Sequence, residues 1–257
     1  MLQELFDLTG RTALVTGGSK GLGRAIALGF AEAGAHVMIA ARTESQLHDA
    51  AAEIDAAGAG RVEYAVADFS DRDSSDQLAQ RALELFGGVD VFVNNAGNNE
   101  PETLVEMTDD SWDRIVELNM SSGVRLASRF AAGMIERSWG RIIHMSSVMA
   151  LASAGGRGAY SGTKAALIGL TRAHALELGP HNITVNCIAP GPIMTDLPMS
   201  VLTDEQKAKF AEVTAVKRWG DPVDMVGPAL LLATEAGRNI TGTVILADGG
   251  LICRTFD

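Results

Sequence analysis

The segment that decides the fold spans residues 12–27 and reads TALVTGGSKGLGRAIA. A short apolar run with β-branched residues opens it, a glycine-rich stretch follows, and a helical run closes it. A strand, a glycine-rich turn and a helix N-terminus in this order bind a pyrophosphate through backbone N–H groups and the helix dipole. The glycines are spaced Gly17-x-x-x-Gly21-x-Gly23, and no Gly-Lys-Ser/Thr follows them, which argues against a kinase or an ATPase. An ordinary flexible loop between a strand and a helix is the competing interpretation.

Outward from this segment, short β-rich apolar runs alternate with helical stretches. We predict strands at 12–16, 36–40, 62–66, 89–93, 141–145, 183–188 and 243–246, and helices at 21–33, 44–57, 71–86, 109–136, 158–179, 204–214 and 222–236. This alternation is typical of a parallel sheet covered by helices on both faces. Because no linker, repeat or low-complexity stretch interrupts it, we expect one domain over residues 1–257. The irregular, proline-containing region after Pro190 predicts a substrate loop or lid at about 190–218.

The composition is that of a globular protein. The chain has 257 residues, of which 47% are hydrophobic and 21% charged, so disordered, collagen-like and coiled-coil classes are excluded. A net charge of −11 argues against nucleic acid as a partner, because phosphate binding needs a basic surface. No apolar run is long enough for a membrane span and the first residues lack a signal-peptide pattern, so we expect a cytoplasmic protein without membrane partners. The two cysteines and five histidines lack metal-ligand spacing, so we predict no metal site.

The end of the second predicted strand bears on which dinucleotide binds. An Asp or Glu there would bind a ribose 2′-hydroxyl, but the sequence is Ile39-Ala40-Ala41-Arg42-Thr43. Arg42 and Lys20 would instead attract a 2′-phosphate. We therefore predict NADP(H) in preference to NAD(H). The alternative is that both cations are merely solvated.

A phenol and an ammonium stand four residues apart in Tyr160-Ser161-Gly162-Thr163-Lys164. On a helix the two share one face, and a nearby positive charge lowers the pKa of a phenol. Tyr160 is therefore a candidate acid or base, although such a pair taken alone is more often an ordinary surface or packing pair. Upstream, Ser146 and Ser147 end a predicted strand at the edge where α/β sheets bind ligands. Asn119 lies inside the predicted 109–136 helix, where Asn is a poor helix former.

Together these motifs resemble the short-chain dehydrogenase/reductase family. The resemblance rests on the 16–23 turn, Asn94-Asn95-Ala96-Gly97, Asn119, Ser147 thirteen residues before Tyr160, Lys164, and Pro190-Gly191 followed by Thr195, and it spans about the whole chain. It implies a single-domain, Rossmann-type, doubly wound α/β sheet of seven parallel strands in the order 3-2-1-4-5-6-7. It also implies an oxidoreductase that transfers a hydride between NADP(H) and a carbonyl or secondary alcohol.

The resemblance also implies a role for each matched residue. Tyr160 would exchange a proton with the substrate oxygen and Ser147 would hydrogen-bond that oxygen, while Lys164 would hold the nicotinamide ribose and keep the pKa of the phenol low. Asn119 would hold a water that links Lys164 to solvent. Asp68 would accept from the adenine amine, Asn95 would lie along the adenosine ribose, and Thr195 with the Ile193 backbone would hold the carboxamide. The implied cofactor-binding set is Thr16, Gly17, Ser19, Lys20, Gly21, Leu22, Gly23, Arg42, Asp68, Asn95, Ala96, Gly97, Tyr160, Lys164, Pro190, Gly191, Ile193 and Thr195.

The substrate is expected to be a small molecule, and its identity stays open. Candidate substrate contacts are Ser147, Met149, Arg157, Tyr160 and Met194. Similar proteins include NAD-dependent sugar-acid and polyol dehydrogenases, such as gluconate 5-dehydrogenase, and 3-oxoacyl-carrier-protein reductases. The positions that match the carrier-binding arginines of those reductases are Ser138 and His181, which weakens that alternative. A cofactor-binding subunit without catalysis is the remaining alternative, although it would be expected to lose Tyr160, Lys164 or Ser147.

The family usually assembles as tetramers through two long helices, here about 109–136 and 158–179, together with the C-terminal strand region. We therefore expect a homotetramer, with a homodimer as the alternative. Burial within a single chain would explain the same apolar helix faces.

Overall fold

The computed structural model describes residues 1–195, 199 and 202–253. In that part of the chain, seven strands form one parallel sheet in the order β3-β2-β1-β4-β5-β6-β7. The strands are β1 Thr12–Thr16, β2 His36–Ala41, β3 Val62–Val66, β4 Val91–Asn94, β5 Gly140–Met145, β6 Ile183–Pro190 and β7 Val244–Ala247. The predicted fold class, strand order and parallel pairing are confirmed.

Helices connect the strands and cover both faces of the sheet. They are α1 Leu2–Leu5, α2 Gly21–Glu32, α3 Glu44–Ala57, α4 Arg72–Phe86, α5 Asp109–Val116, α6 Ser122–Glu136, α7 Gly158–Leu178, α8 Asp204–Val213 and α9 Val226–Ala233. The three-residue or four-residue 3₁₀ turns are Val148–Ala150, Gly179–His181, Pro222–Met225 and Glu235–Gly237. The predicted lid at about 190–218 contains α8, but its residues 196–198, 200 and 201 lie outside the described part of the chain.

The core follows from the alternation of side chains along each strand. In β1, Ala13 and Val15 pack with α2, α3 and α9 on one face, whereas Leu14 packs with α4 and α6 on the other. Successive strand residues point to opposite faces, so a sheet buried on both faces needs apolar residues at every position. This is why the strands read as continuous apolar runs.

The predicted 109–136 helix is interrupted at its middle. Thr108 caps α5 by accepting a hydrogen bond from the Ser111 backbone N–H, and a π-turn over Glu117–Ser121 then separates α5 from α6. A π-turn inserts one extra residue and is often found at functional sites. Asn119 lies within it and is almost fully buried.

The sheet order reverses between β1 and β4, which are neighbours although β2 and β3 lie between them in the chain. Ligands of open α/β sheets bind at the carboxyl ends of the strands at such a switch point. A ligand is therefore expected at the loops after β1, β4 and β5. No helix among the described residues is long and apolar enough to cross a membrane.

Candidate active site

The turn after β1 has the backbone conformation that its glycines permit. Gly17 and Gly21 have φ values of +66° and +54°, a region that favours glycine. A Cβ on Gly17 would lie 2.8 Å from Asn95 Nδ2, and a Cβ on Gly23 would overlap the Gly17 carbonyl oxygen. The turn is thus closed tightly on the first turn of α2. Ser19 is buried, whereas Lys20 at the start of the helix is exposed.

The ends of β1 and β4 are joined by one threonine. Thr16 Oγ1 accepts hydrogen bonds from the backbone N–H groups of Asn95 and Ala96, each at 3.0 Å. The Asn95 side chain in turn donates to the Thr16 carbonyl oxygen at 2.8 Å. These bonds fix the loop after β4 against the glycine-rich turn. The contact of Asn95 with an adenosine ribose remains a prediction.

Two charged side chains, Arg42 and Asp68, mark the adenosine end of the predicted cofactor site. Arg42 follows β2 and Asp68 follows β3, on strands that are neighbours in the sheet. Desolvation would raise the pKa of Asp68, but the hydroxyl and backbone N–H of Ser70 and the charge of Arg42 outweigh it and lower that pKa. Arg42 is exposed and lies near enough to Asp68 to act on it electrostatically.

The four predicted catalytic residues converge beyond the ends of β4 and β5. Ser147 is the second residue after β5, Tyr160 and Lys164 lie in the first two turns of α7, and Asn119 lies in the π-turn. The Ser146 hydroxyl donates to the Lys164 carbonyl oxygen at 2.8 Å and so ties α7 to the end of β5. Ser147, Lys164 and Asn119 are buried, while Tyr160 is half-buried. The Lys164 Nζ atom lies 5.8 Å from the centre of the Tyr160 ring, so the two residues share one helix face as their spacing predicts.

The pKa of Tyr160 departs from the expectation based on Lys164. Burial raises the pKa of the phenol above 10, and the hydroxyl of Ser147 and the charge of Arg157 only partly oppose this. The Lys164 ammonium donates to the Met145 carbonyl oxygen at 2.8 Å and is not among the groups that lower the pKa of the phenol. The expected lowering of the phenol pKa by Lys164 is therefore wrong for the protein without its cofactor. The groups that lower this pKa are the Ser147 hydroxyl and the Arg157 guanidinium.

Lys164 is itself strongly affected by its surroundings. Burial lowers the pKa of its ammonium from 10.5 to about 8, and the nearby Cys187 only weakly opposes this. A lysine with this pKa carries a proton at neutral pH but loses it at mildly alkaline pH. Two of its three N–H donors are left for other partners once the Met145 bond is made.

Asn119 is hydrogen-bonded to the loop after β4 in both directions. Its Oδ1 accepts from the Asn98 backbone N–H at 2.8 Å, and its Nδ2 donates to the Asn98 carbonyl oxygen at 2.9 Å. A weaker contact of 3.4 Å joins Nδ2 to Thr163 Oγ1, which also donates to the Tyr160 carbonyl oxygen. The side chain thus links the loop after β4 to α7.

The segment after β6 approaches the glycine-rich turn. The Gly191 N–H donates to the Ala247 carbonyl oxygen at 3.1 Å, and Ile193 forms an isolated parallel bridge with Gly220. Thr195 lies beside Gly21, because a Cβ on that glycine would be 3.2 Å from Thr195 Cγ2. Thr195 therefore lies next to the turn predicted to hold the pyrophosphate, whereas Gly191 and Ile193 contact residues near β7 and before α9.

Of the candidate substrate contacts, Ser147 and Arg157 act directly on Tyr160, and Met149 bonds Ser147. The Met149 N–H donates to Ser147 Oγ at 3.1 Å, and the Arg157 guanidinium donates to Asn99 Oδ1 at 2.8 Å. Met194 is 42% exposed and lies on the segment after β6. Sequence reasoning did not identify Asn98, Thr163 or the Met145 carbonyl as parts of this arrangement. In the sequence, the unusually polar run Asn98-Asn99-Glu100 is the one signal that points to Asn98.

The residues present fit a nicotinamide dinucleotide. A Cβ on Gly97 would lie 3.1 Å from Asn119 Oδ1 and 3.3 Å from Lys164 Nζ, so the absence of a side chain there keeps both polar groups accessible from the loop after β4. The closed glycine-rich turn leads to the N-terminus of α2, where backbone N–H groups suit a pyrophosphate. One edge of the sheet thus carries both the N-terminus of α2 and the polar cluster of Asn119, Ser147, Tyr160 and Lys164.

Comparison with known proteins agrees with this geometry. The family model for short chain dehydrogenases matches residues 11–206. The L-rhamnose 1-dehydrogenase (NADP(+)) of Thermoplasma acidophilum is 36% identical over 250 residues, which cover 96% of this chain and 98% of that protein. The chain belongs to the short-chain dehydrogenase/reductase family, as its motifs predict, and it is an oxidoreductase of that family.

Two solved structures share the whole fold. A 3-oxoacyl (acyl-carrier-protein) reductase from Agrobacterium tumefaciens C58 with NADP bound has a TM-score of 0.92 at 33% identity, with 97% of each chain covered. A candidate gluconate dehydrogenase from Agrobacterium tumefaciens also has a TM-score of 0.92 at 33% identity, with 98% of this chain and 99% of that chain covered. Proteins named for reactions on quite different substrates are thus about equally similar to this one.

Proposed function

We propose that this protein transfers a hydride between NADP(H) and a carbonyl or secondary alcohol, with Tyr160 as general acid and base. The observation that carries the proposal is the convergence of Ser147, Tyr160, Lys164 and Asn119 beside Gly97. The dinucleotide, when bound, supplies or accepts the hydride. Everything else in the reaction is positioning and proton transfer by the protein's own side chains.

Tyr160 gives its proton to the carbonyl oxygen during reduction and takes it from the hydroxyl during oxidation. Burial supports the first role, because a phenol with a raised pKa is fully protonated at neutral pH. Ser147 lies beside the phenol and donates a hydrogen bond to the same substrate oxygen. Two donors on one oxygen stabilise the negative charge that develops there.

Lys164 and Asn119 complete the proton path. Lys164 uses the N–H donors that do not bond Met145 to hold the nicotinamide ribose hydroxyls. Asn119, which is tied to Asn98 and reaches the surroundings of Lys164 across Gly97, positions the water that returns a proton from solvent. The low pKa of Lys164 supports its taking part in proton exchange near neutral pH.

NADP(H) is the dinucleotide that the adenosine end supports. Arg42 and Lys20 supply two cations, and the end of β2 carries no carboxylate that would repel a 2′-phosphate. The NADP(+) dependence in the name of the rhamnose dehydrogenase and the NADP bound to the carrier-protein reductase are in line with this choice. The substrate class remains between sugar acids or polyols and oxoacyl thioesters, and the non-catalytic alternative is disfavoured because Ser147, Tyr160 and Lys164 are all present.

The loss of NADPH and NADH absorbance with a panel of ketones, keto sugars and oxo esters tests this proposal. We expect turnover with NADPH at a kcat/KM at least about tenfold above that with NADH, since one charged hydrogen bond is worth about 1.5–3 kcal/mol. Arg42→Asp should reverse the preference, whereas Arg81→Asp, on the exposed face of α4, should leave it unchanged. Turnover with NADH alone would refute the cofactor assignment, and no turnover of any substrate with either dinucleotide would favour the non-catalytic alternative.

A further inference from the structure

Arg157 lies close to Tyr160 of the candidate catalytic centre. It precedes α7 directly and stands three residues before Tyr160, and its side chain is half-buried. One of its terminal nitrogens donates to the Asn99 side-chain oxygen at 2.8 Å. Its charge reaches the Tyr160 phenol, so the guanidinium is close to the point where the substrate oxygen must lie.

The two carboxylates in the loop that carries Asn99 are already engaged by other residues. Glu100 pairs with Arg114 and also accepts from Asn98. Glu102 accepts a hydrogen bond of 2.6 Å from the Ser111 hydroxyl. Among the described residues, no carboxylate lies within ion-pair distance of the Arg157 guanidinium. Its bonded partner is a neutral amide oxygen, which orients a guanidinium without neutralising its charge.

The position of Asn99 is fixed by the catalytic centre itself. Its backbone N–H donates to Asn98 Oδ1 at 2.9 Å, and Asn98 is bonded through its backbone to both side-chain atoms of Asn119. The same loop is closed on the segment before Arg157, where the Glu102 N–H donates to the Gly156 carbonyl oxygen at 3.0 Å. The guanidinium is thus held at a set position relative to Asn119 and Tyr160.

A guanidinium that has only a neutral partner among the described residues can pair with an anionic ligand. The net charge of −11 strengthens the point, because the protein as a whole repels anions and an anionic substrate needs a local cation. A guanidinium whose remaining N–H groups form a planar fork matches a carboxylate in two parallel hydrogen bonds.

We infer that Arg157, oriented by Asn99, recognises a carboxylate on the substrate and so makes this enzyme selective for acid-bearing carbonyl or alcohol compounds. The inference rests on the proposed function, and it narrows the substrate class within it. It favours a sugar acid or another oxo or hydroxy acid over a neutral polyol or an acyl thioester.

Pairs of similar substrates, one with a carboxylate and one without, test the inference. We would measure kcat/KM for levulinate against methyl levulinate in reduction, and for D-gluconate against D-sorbitol in oxidation. The wild type should prefer the acid in each pair that it turns over, and Arg157→Gln should reduce that preference about 10- to 100-fold, as expected for a charged hydrogen bond. Any general damage to the site, including a changed phenol pKa, lowers both members of a pair equally and leaves the ratio intact.

Three further variants sharpen the result. Arg157→Lys keeps the charge but loses the fork and should keep only part of the preference. Asn99→Ala removes the orienting oxygen and should also reduce it. Arg81→Gln removes the same charge from the exposed face of α4 and should leave the ratio unchanged. Equal turnover of acid and ester by the wild type, or an unchanged ratio in Arg157→Gln, would overturn the inference.

A binding measurement keeps the inference independent of turnover. Calorimetric titration of the NADP⁺-saturated wild type should detect D-gluconate binding at least about tenfold tighter than that of D-sorbitol, and Arg157→Gln should abolish the difference. Equal affinities, or no binding of either compound, would count against Arg157 as a carboxylate site. Failure of NADP⁺ itself to bind would instead count against the proposed function.

Discussion

The phenol of Tyr160 is under two opposing influences. Burial raises its pKa, while the Ser147 hydroxyl and the Arg157 cation lower it. The sequence spacing predicts the shared helix face of Tyr160 and Lys164 correctly, but it cannot reveal that the ammonium bonds the Met145 carbonyl, because that contact joins α7 to β5 across the fold. Helical periodicity predicts which side chains share a face, whereas their hydrogen-bond partners depend on how the helix packs against the rest of the fold.

Burial of the Lys164 ammonium should lower the stability of the folded protein, although the proposed function needs this residue. The lowering of its pKa from 10.5 to about 8 corresponds to about 3 kcal/mol, since one pKa unit is worth about 1.4 kcal/mol. Lys164→Met removes this cost but leaves the Met145 carbonyl without a donor, which costs about 1 kcal/mol. We expect the variant to gain about 2 kcal/mol in free energy of unfolding at pH 7, measured by urea denaturation, and to lose catalysis.

The destabilisation by Lys164 should depend on pH. The pKa of Lys164 is lower in the folded than in the unfolded chain, so its destabilisation is complete below about pH 8 and fades as the pH rises to 10.5. The advantage of Lys164→Met should therefore shrink between pH 7 and pH 9.5. Lys209→Met, at an exposed position of α8, should show no such trend. A variant less stable than the wild type at pH 7 would show that the buried charge is compensated.

At the scale of elements, the strand, turn and helix at residues 12–27 could be predicted almost completely. The β1 strand and the α2 start lie where the pattern places them, because a glycine-rich turn between two strongly periodic runs leaves little choice. The break in the predicted 109–136 helix could not be predicted. A π-turn keeps the helical pattern of apolar residues nearly intact, and Asn119 was its only sign in the sequence.

The closeness of the turn to α2 predicts a strong effect of one methyl group. Gly23→Ala would place a Cβ against the Gly17 carbonyl and Asn95 Nδ2. We expect a loss of about 1–3 kcal/mol in stability and at least about a tenfold weaker binding of NADPH, measured by urea denaturation and by fluorescence titration. Gly162→Ala is the matched control, since nothing lies within 4 Å of a Cβ there. A Gly→Ala change inside a helix should raise the free energy of unfolding by about 1 kcal/mol. Unimpaired NADPH binding by Gly23→Ala would contradict the assignment of this turn to the pyrophosphate.

At the scale of the molecule, the alternation of strands and helices predicts the layers, and the family resemblance supplies the strand order that periodicity alone cannot give. The substrate could not be predicted at this scale. Proteins named for a sugar and for an acyl carrier are both similar to the whole chain, so selectivity must depend on a few loop residues such as Arg157. Function on a common fold is determined by the site.

The expected tetramer can be tested by the native mass of the protein and of variants in α7. Leu176 on α7 is 81% exposed and Trp112 on α5 is 42% exposed, which places large apolar groups on the two helices of the expected interface. We expect a native mass near four times the 27.0 kDa of one chain in sedimentation equilibrium. Leu176→Glu should lower that mass, because a charge would be buried, whereas Leu2→Glu at the exposed N-terminus should not. An unchanged mass for Leu176→Glu would remove α7 from the interface.

The central claim is that Tyr160 transfers the proton in an NADP(H)-dependent hydride transfer. Its most direct test is the turnover of Tyr160→Phe with NADPH and an accepted carbonyl substrate, measured together with the Kd for NADPH. Loss of the phenolic hydroxyl should lower kcat about 10²- to 10⁴-fold while the affinity for NADPH stays nearly unchanged, since the ring and the dinucleotide site remain. A variant that keeps kcat within a few fold of the wild type would contradict the account.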